Sequence, residues 1–237
     1  MNASLIGGDY SAQRPSLPFW RPHDLAWITQ EQASQALGMD APDWARRALA
    51  FGLPVVVRRG LRDALTLPVG IRGNSRDKRF AARIPATALH DRTTPESLSL
   101  ALERMDPLRS AMIPAMAAVS EAALIFDPLN LSWGIGGAVG YELATQTPAT
   151  HEHSDIDLLL RLPARPDRAE LQELAERLRG LSARCDIQIE TPLGGLALAD
   201  WLSGAERVMI KSDQGPYLVA DPWAVRATEH DGRDPCR

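Results

Sequence analysis

The sequence predicts an α/β (α+β) protein, a mixed sheet flanked by helices and preceded by a smaller N-terminal α+β domain. Three observations carry this reading. Short β-branched runs alternate with segments of helical apolar spacing, the sharpest strand (Asp155–Leu162) lies between two helical segments, and the charge balance changes sign along the chain. With 237 residues, 45% apolar and 24% charged, the chain is long enough to bury a proper core in one large domain or two modest ones.

The elements follow in order. Residues 1–16 are small, polar and Gly-containing, the composition of a loose terminus. His23–Thr29 reads as a short strand. Pro42–Phe51 reads as a helix, with Gly52 as its stop and Pro54 just beyond. Leu53–Arg59 and Leu67–Arg72 are β-branched runs bounded by Gly and Pro, hence strands. Around His90–Pro95 the pattern breaks, and Thr94-Pro95-Glu96 looks like a fresh helix start. This sets the expected boundary between a basic α+β domain, residues 1–94, and a second domain, residues 95–237. Apolar spacing makes Pro95–Met105 and Leu108–Phe126 helical, Leu129–Ile135 a strand and Ala138–Thr145 a short helix. After the Asp155–Leu162 strand comes a helix, Asp167–Leu181, with Leu171, Leu174, Leu178 and Leu181 on one face. Asp167 is its expected N-cap, with Glu170 completing a capping box. Cys185–Glu190 reads as a strand, Gly195–Leu202 as a helix, and Arg207–Lys211 and Tyr217–Ala220 as further strands.

The net charge of −4 hides an asymmetry: residues 1–94 carry +5 and residues 95–237 carry −9. An acidic half collecting metal beside a basic half collecting phosphates is one reading; surface charge serving solubility alone is another. Cys185 and Cys236 are the only cysteines, which argues against a disulfide framework and suits a reducing cytoplasm. No basic leader followed by an apolar core opens the chain. The most apolar stretch, Ala111–Phe126, is interrupted by Pro114 and Glu121 and is too short to span a bilayer. The expectation is a cytoplasmic protein.

Asp155-Ile156-Asp157-Leu158-Leu159-Leu160 carries the chemistry. On a strand, side chains alternate faces, so Asp155 and Asp157 project together while Ile156, Leu158 and Leu160 point into a core. Carboxylates held side by side repel one another unless a cation lies between them. Mg²⁺ is the expected cofactor, because it takes hard oxygen ligands and shares them with substrate phosphates. Asp186 lies on the next strand; if the two strands are adjacent, Asp155, Asp157 and Asp186 gather as metal ligands and catalytic groups. Acidic residues at a strand start are also common without metal. The context strengthens the metal reading: Trp133-Gly134-Ile135-Gly136-Gly137 is a strand ending in glycines that run into a helix. Backbone N–H groups of Gly136, Gly137 and Ala138 can there approach a phosphate at a helix N-terminus. His151 and His153 extend the pattern to H-x-H-x-D-x-D, a possible transition-metal face that a loop would disrupt. Among basic residues, Arg72 follows a strand between Gly70 and Gly73, and Lys211 is one of only two lysines beside 24 arginines. Either could equally be a solvated surface charge.

The order of strand, glycine turn, helix, D-x-D strand, helix and third-Asp strand resembles the polymerase-β-like nucleotidyltransferase superfamily. More narrowly, Trp133-Gly134 through Gly137-Ala138-Val139-Gly140-Tyr141-Glu142-Leu143-Ala144-Thr145 and Ser154-Asp155-Ile156-Asp157-Leu158-Leu159 resemble the malonate decarboxylase holo-acyl-carrier-protein synthases, also called phosphoribosyl-dephospho-CoA transferases. The likeness continues through Glu190-Thr191-Pro192, Arg207–Lys211 and Gly215-Pro216 to Asp221-Pro222-Trp223. It also takes in Arg21-Pro22-His23-Asp24 and Leu67–Gly73, nearly the whole chain. Two departures stand out. Ala138 replaces the usual serine of the turn, and the 16 residues between Ala138 and Asp155 exceed the superfamily's usual gap, placing a loop at Gln146–His153.

The resemblance implies a nucleotidyltransferase-fold enzyme. Its donor would be triphosphoribosyl-dephospho-CoA and its acceptor a serine of the apo acyl-carrier subunit of malonate decarboxylase, with pyrophosphate leaving. Neither nucleic acid nor a membrane would be a partner. Asp155 and Asp157 would hold the metals, and Asp186 would complete the set or serve as base. Gly136, Gly137, Ala138, Ser154, Arg72 and Lys211 would contact substrate. The alternatives are an ATP-dependent adenylyltransferase acting on a small molecule or protein, and a nucleotide-binding regulatory module that has lost its chemistry.

Overall fold

The structure, a computed structural model, describes residues 20–224 except 34, 62, 64, 74, 76 and 130; the expected loose terminus and Cys236 lie outside these. The N-terminal half begins with β1 (Leu25–Ile28), α1 (Gln30–Ala33), α2 (Asp43–Ala50) and β2 (Val55–Val57). It continues with β3 (Thr66–Arg72), β4 (Arg79–Pro85) and β5 (Leu89–Thr93). The five strands form one antiparallel sheet in the order β4-β3-β2-β1-β5. Period-two alternation decides what each face covers. Ala26, Ile28, Val55 and Val57 face a core shared with Ala45, Ala48 and Leu49 of α2, whereas Leu25, Trp27 and Val56 pack on the core of the second half.

Next come α3 (Pro95–Ser99), α4 (Pro107–Met112) and α5 (Pro114–Phe126). Thr94 starts α3 with a reciprocal cap: its Oγ1 accepts from Ser97 N–H at 3.1 Å, and Ser97 Oγ accepts from Thr94 N–H at 3.0 Å. The helix expected over Pro95–Met105 is shorter, stopping at Ser99 before a single 3₁₀ turn at Leu102–Arg104. The helix expected over Leu108–Phe126 is two helices. Pro114 has no N–H to donate, so the chain turns extended at Ile113 and restarts with Pro114 in the first helical position.

The remaining elements are β6 (Trp133–Ile135), α6 (Gly137–Thr145), β7 (Ile156–Arg161), α7 (Arg168–Leu178), β8 (Cys185–Thr191) and β9 (Gly194–Ala197). They close with α8 (Leu198–Leu202), β10 (Val208–Ser212) and β11 (Gly215–Val219). The second sheet runs β11-β10-β9-β8-β7-β6 and is mixed: β7 and β8 are parallel, joined through α7, and the other neighbours are antiparallel. Asp167 caps α7 by accepting from Ala169 N–H at 2.7 Å, a shorter reach than the expected box with Glu170. The segment Gly195–Leu202, expected as one helix, is divided. Gly194–Ala197 extends and pairs with β8, and only Leu198–Leu202 coils.

One face of this sheet is apolar. Ile156, Leu158, Leu160, Ile189, Leu196, Val208 and Ile210 are buried in a core with α5 and with Leu171, Leu174 and Leu178 of α7. The opposite parity is polar and turns toward the first half. Polar contacts join the halves there: Arg59 pairs with Glu190, Arg21 with Glu96 at 3.1 Å, and Glu96 in turn with Arg161. Where β6 passes α3 the backbones meet directly, since a β-carbon on Gly134 would lie 2.3 Å from the Pro95 carbonyl carbon. Among the described residues no helix is long and apolar enough to cross a membrane.

Candidate active site

The cleft between the polar sheet face and the first half is built from the strand starts. β7 and β8 run in parallel register with Asp157 opposite Asp186, so the two carboxylates leave the same face on adjacent strands. Asp155 sits just before β7, half-buried, and faces the same cleft. Asp157 remains open to solvent, yet the protein surrounds it. Partial desolvation, then the charges of Asp186 and Asp155, raise its pKa above the ordinary carboxylate value. Burial and the same negative field push the Cys185 thiol up to about 12.

The glycine turn meets this carboxylate. Ile135 pairs with Leu158, and Gly136 N–H donates to the Asp157 carbonyl at 2.8 Å. Gly137 then opens α6 with φ +58, its Cα directly against the Asp157 side chain. Ala138 follows in the first turn, where N–H groups have no intrahelical acceptor. Gly136, Gly137 and Ala138 all line the cleft.

The loop from Gln146 to Ser154 is tied down by a residue inside α6 that the sequence reading passed over. The Glu142 carboxylate, buried, accepts from Arg109 Nε at 2.6 Å, Ala149 N–H at 2.7 Å, Thr150 N–H at 2.8 Å and Thr150 Oγ1 at 2.6 Å. Burial opposes its ionisation, but these donors together lower its pKa to about 2. Ser154 is also occupied: its Oγ accepts from His151 N–H at 3.0 Å, closing the turn before Asp155. His151 and His153 lie exposed in that turn, with His151 Nδ1 accepting from His153 N–H at 3.2 Å.

The basic residues divide. Arg72 crosses from β3 to the second half, donating to the Ala149 carbonyl at 3.0 Å and lying 5.6 Å from the centre of the Tyr141 ring. Arg79 is paired with Arg72 across β3 and β4, and both guanidinium charges act on Asp157. Lys211 lines the cleft but stands apart from the carboxylates. It sits in one row with Gly195 and Glu190, which places it four residues along the strand from the Asp157–Asp186 pair, roughly 13 Å at strand rise. Of the tryptophans, Trp44 lines this cleft.

Whether these residues suit a hard divalent cation depends on their donor set and its arrangement. The donors are carboxylate oxygens, as Mg²⁺ requires. As the side chains stand, no group of three or more His, Cys, Asp or Glu among the described residues is gathered at metal-holding spacing. Arg184 explains the third carboxylate's position: its Nε and NH2 donate to Asp186 at 3.2 and 2.9 Å. The signal was in the sequence, since in extended chain residues 184 and 186, two apart at the start of the strand, lie on one side.

A glycine turn against paired carboxylates, beneath a layer of arginines, suits a phosphate-bearing substrate, and the relatives of this chain are transferases. A family model described as the C-terminal domain of phosphoribosyl-dephospho-CoA transferase MdcG matches residues 99–222, and the corresponding N-terminal domain model matches residues 21–95. The phosphoribosyl-dephospho-CoA transferase of Azotobacter vinelandii is 42% identical over 208 residues, covering 86% of this chain and 94% of its own length. That of Pseudomonas putida is 42% identical over 205 residues (86% and 96%), and that of Klebsiella pneumoniae 39% over 203 residues (86% and 96%). No solved structure gives a match. The chain belongs to the phosphoribosyl-dephospho-CoA transferase family.

Proposed function

We propose that this enzyme, working in the cytoplasm, moves the phosphoribosyl-dephospho-CoA group from triphosphoribosyl-dephospho-CoA to a serine hydroxyl of the apo acyl-carrier subunit of malonate decarboxylase, releasing pyrophosphate. The observation that carries the reading is the apposition of Gly136, Gly137, Asp157 and Asp186 in one cleft, in a chain of this family. Asp155 and Asp157 would hold Mg²⁺, and Asp186 would join them once it gives up Arg184. Bound there, the metal would neutralise charge on the phosphates during an in-line displacement.

The chain's own residues have separate tasks. The first-turn N–H groups of α6 receive phosphate oxygens, with Ala138 contributing its backbone alone. Arg72 and Arg79 bring positive charge from the first half against a cleft lined by carboxylates. Glu142 fixes Ala149 and Thr150, and so the loop leading to Asp155. The test is pyrophosphate release and carrier mass measured with purified apo-carrier and Mg²⁺, once with the donor and once with ATP in its place. Release coupled to a mass gain of one phosphoribosyl-dephospho-CoA group is expected. Turnover of ATP instead, with an unmodified carrier, would replace this reading with adenylyl transfer.

A further inference from the structure

The turn Arg21-Pro22-His23-Asp24 is closed by its last residue. Asp24 is fully buried, its Oδ2 accepts from Arg21 N–H at 2.9 Å, and its N–H donates to the Arg21 carbonyl at 3.1 Å. His23 is left at φ 76, a region few non-glycine residues occupy, and its N–H is held by the Val57 carbonyl at 2.9 Å. The turn sends the imidazole out of the first half and onto β8. There His23 Nε2 lies 2.7 Å from Gln188 Nε2 and 3.5 Å from Glu190 Oε1.

These partners decide where the imidazole carries its proton. Glu190 is half-buried and paired with Arg59, so it stands as a carboxylate that only accepts. It is therefore the amide nitrogen of Gln188 that faces Glu190, at 2.8 Å, and this orients the amide. The same nitrogen meets His23 and has only protons to offer. A neutral His23 must accept at Nε2 and carry its proton on Nδ1, and a charged His23 carries one on each nitrogen. In both states Nδ1 is a donor, and it makes no hydrogen bond among the described residues. The charged groups facing the ring are Glu190, Arg59 and, across the cleft, Asp157.

We propose that His23 is a substrate-contacting residue of this cleft, its Nδ1–H donating to an anionic phosphate oxygen of the bound donor, with Glu190 and Gln188 as positioning residues. This rests on the reading that a phosphate-bearing donor occupies the cleft. It excludes His23 as the base that deprotonates the attacking hydroxyl, because the nitrogen free to take a proton, Nε2, is turned onto the Gln188 amide.

The test exploits side-chain shape. An asparagine places its Nδ2 about where histidine has Nδ1 and tolerates the left-handed backbone; a glutamine reaches instead toward the Nε2 position. Binding of the donor and, separately, of inorganic triphosphate is titrated without carrier for wild type, His23→Ala, His23→Asn and His23→Gln. Thermal melting of each variant confirms folding. Loss of one hydrogen bond to a charged group predicts roughly 10- to 100-fold weaker binding for His23→Ala and His23→Gln, with His23→Asn within about threefold of wild type. Unchanged binding in a folded His23→Ala protein overturns the proposal, as does rescue by Gln but not by Asn. A wild type that binds inorganic triphosphate but turns over no donor would sink the proposed function and leave the His23 contact standing.

Discussion

Gly137 and Asp157 occupy adjoining space with none to spare: a β-carbon built on Gly137 would lie 1.7 Å from Asp157 Oδ2, at a backbone φ of +58. The turn that opens α6 and the strand that presents the carboxylate therefore fix one another. Gly137→Ala must move the Asp157 side chain and adopt a left-handed backbone costing about 1–2 kcal/mol. The expected result is a fall in turnover of at least roughly 100-fold, the scale of displacing a reacting group by about an ångström, with a melting point lower by only a few degrees. Near-native turnover would show that Asp157 does not act from where it stands.

Asp155→Asn and Asp157→Asn remove charge from a crowded acidic site. Each should abolish transfer, while metal-free melting temperatures stay level or rise because carboxylate repulsion is relieved. A variant that kept its activity would remove that residue from the chemistry. One that unfolded would give the residue a structural task instead.

Glu142 supplies a pH prediction. Its folded pKa, about 2, lies below the ordinary value of 4.5, so it contributes stability above pH 4.5 that is lost as pH falls toward 2. Glu142→Gln cannot accept from all the same donors, and a loss of about 2 kcal/mol at neutral pH is expected. Urea titrations at several pH values check the sign: the wild-type advantage over Glu142→Gln should shrink between pH 4.5 and 2. An advantage independent of pH would mean that shape, not charge, holds the loop.

Arg72→Ala should weaken donor binding by about tenfold, and the difference should narrow at high salt, where the native contact is screened. Separate titrations of donor and carrier test this. A loss confined to the carrier would assign the basic half to docking. No change in either would leave Arg72 with its Ala149 and Tyr141 contacts alone.

The carboxylate strand was legible because period-two alternation at Asp155–Leu160 contrasts acid with aliphatic residues, and its parallel partner repeats the contrast at Asp186-Ile187. The glycine turn was legible because Gly136-Gly137 falls between a strand and an apolar helix. What escaped notice has physical reasons. β4 and β5 are the two edge strands of the first sheet, and their sequences, RFAARIP and LHDRT, carry the charges that edges tolerate. Gly195–Leu202 has apolar spacing that suits a helix, but Gly194–Ala197 finds backbone partners on both β8 and β10. Glu142 reads as an ordinary helical acid, since its donors come from Arg109 and from a loop, and no spacing rule connects them. His23 reaches β8 across more than 160 residues of chain, a contact that only the folded layers create.

The single parallel pair of the second sheet has a kinetic meaning. Antiparallel neighbours such as β10 and β11 can zip from a tight turn, but β7 and β8 cannot meet until residues 162–184, with α7, have crossed over the sheet. Asp157 and Asp186 thus stay apart in any partly folded chain that lacks this crossover. Bringing two like charges together is deferred until the loop-closure entropy has been met and the apolar face beneath them is already assembling. The like charges of Asp157 and Asp186 are thus brought together by the crossover itself, not by any local turn.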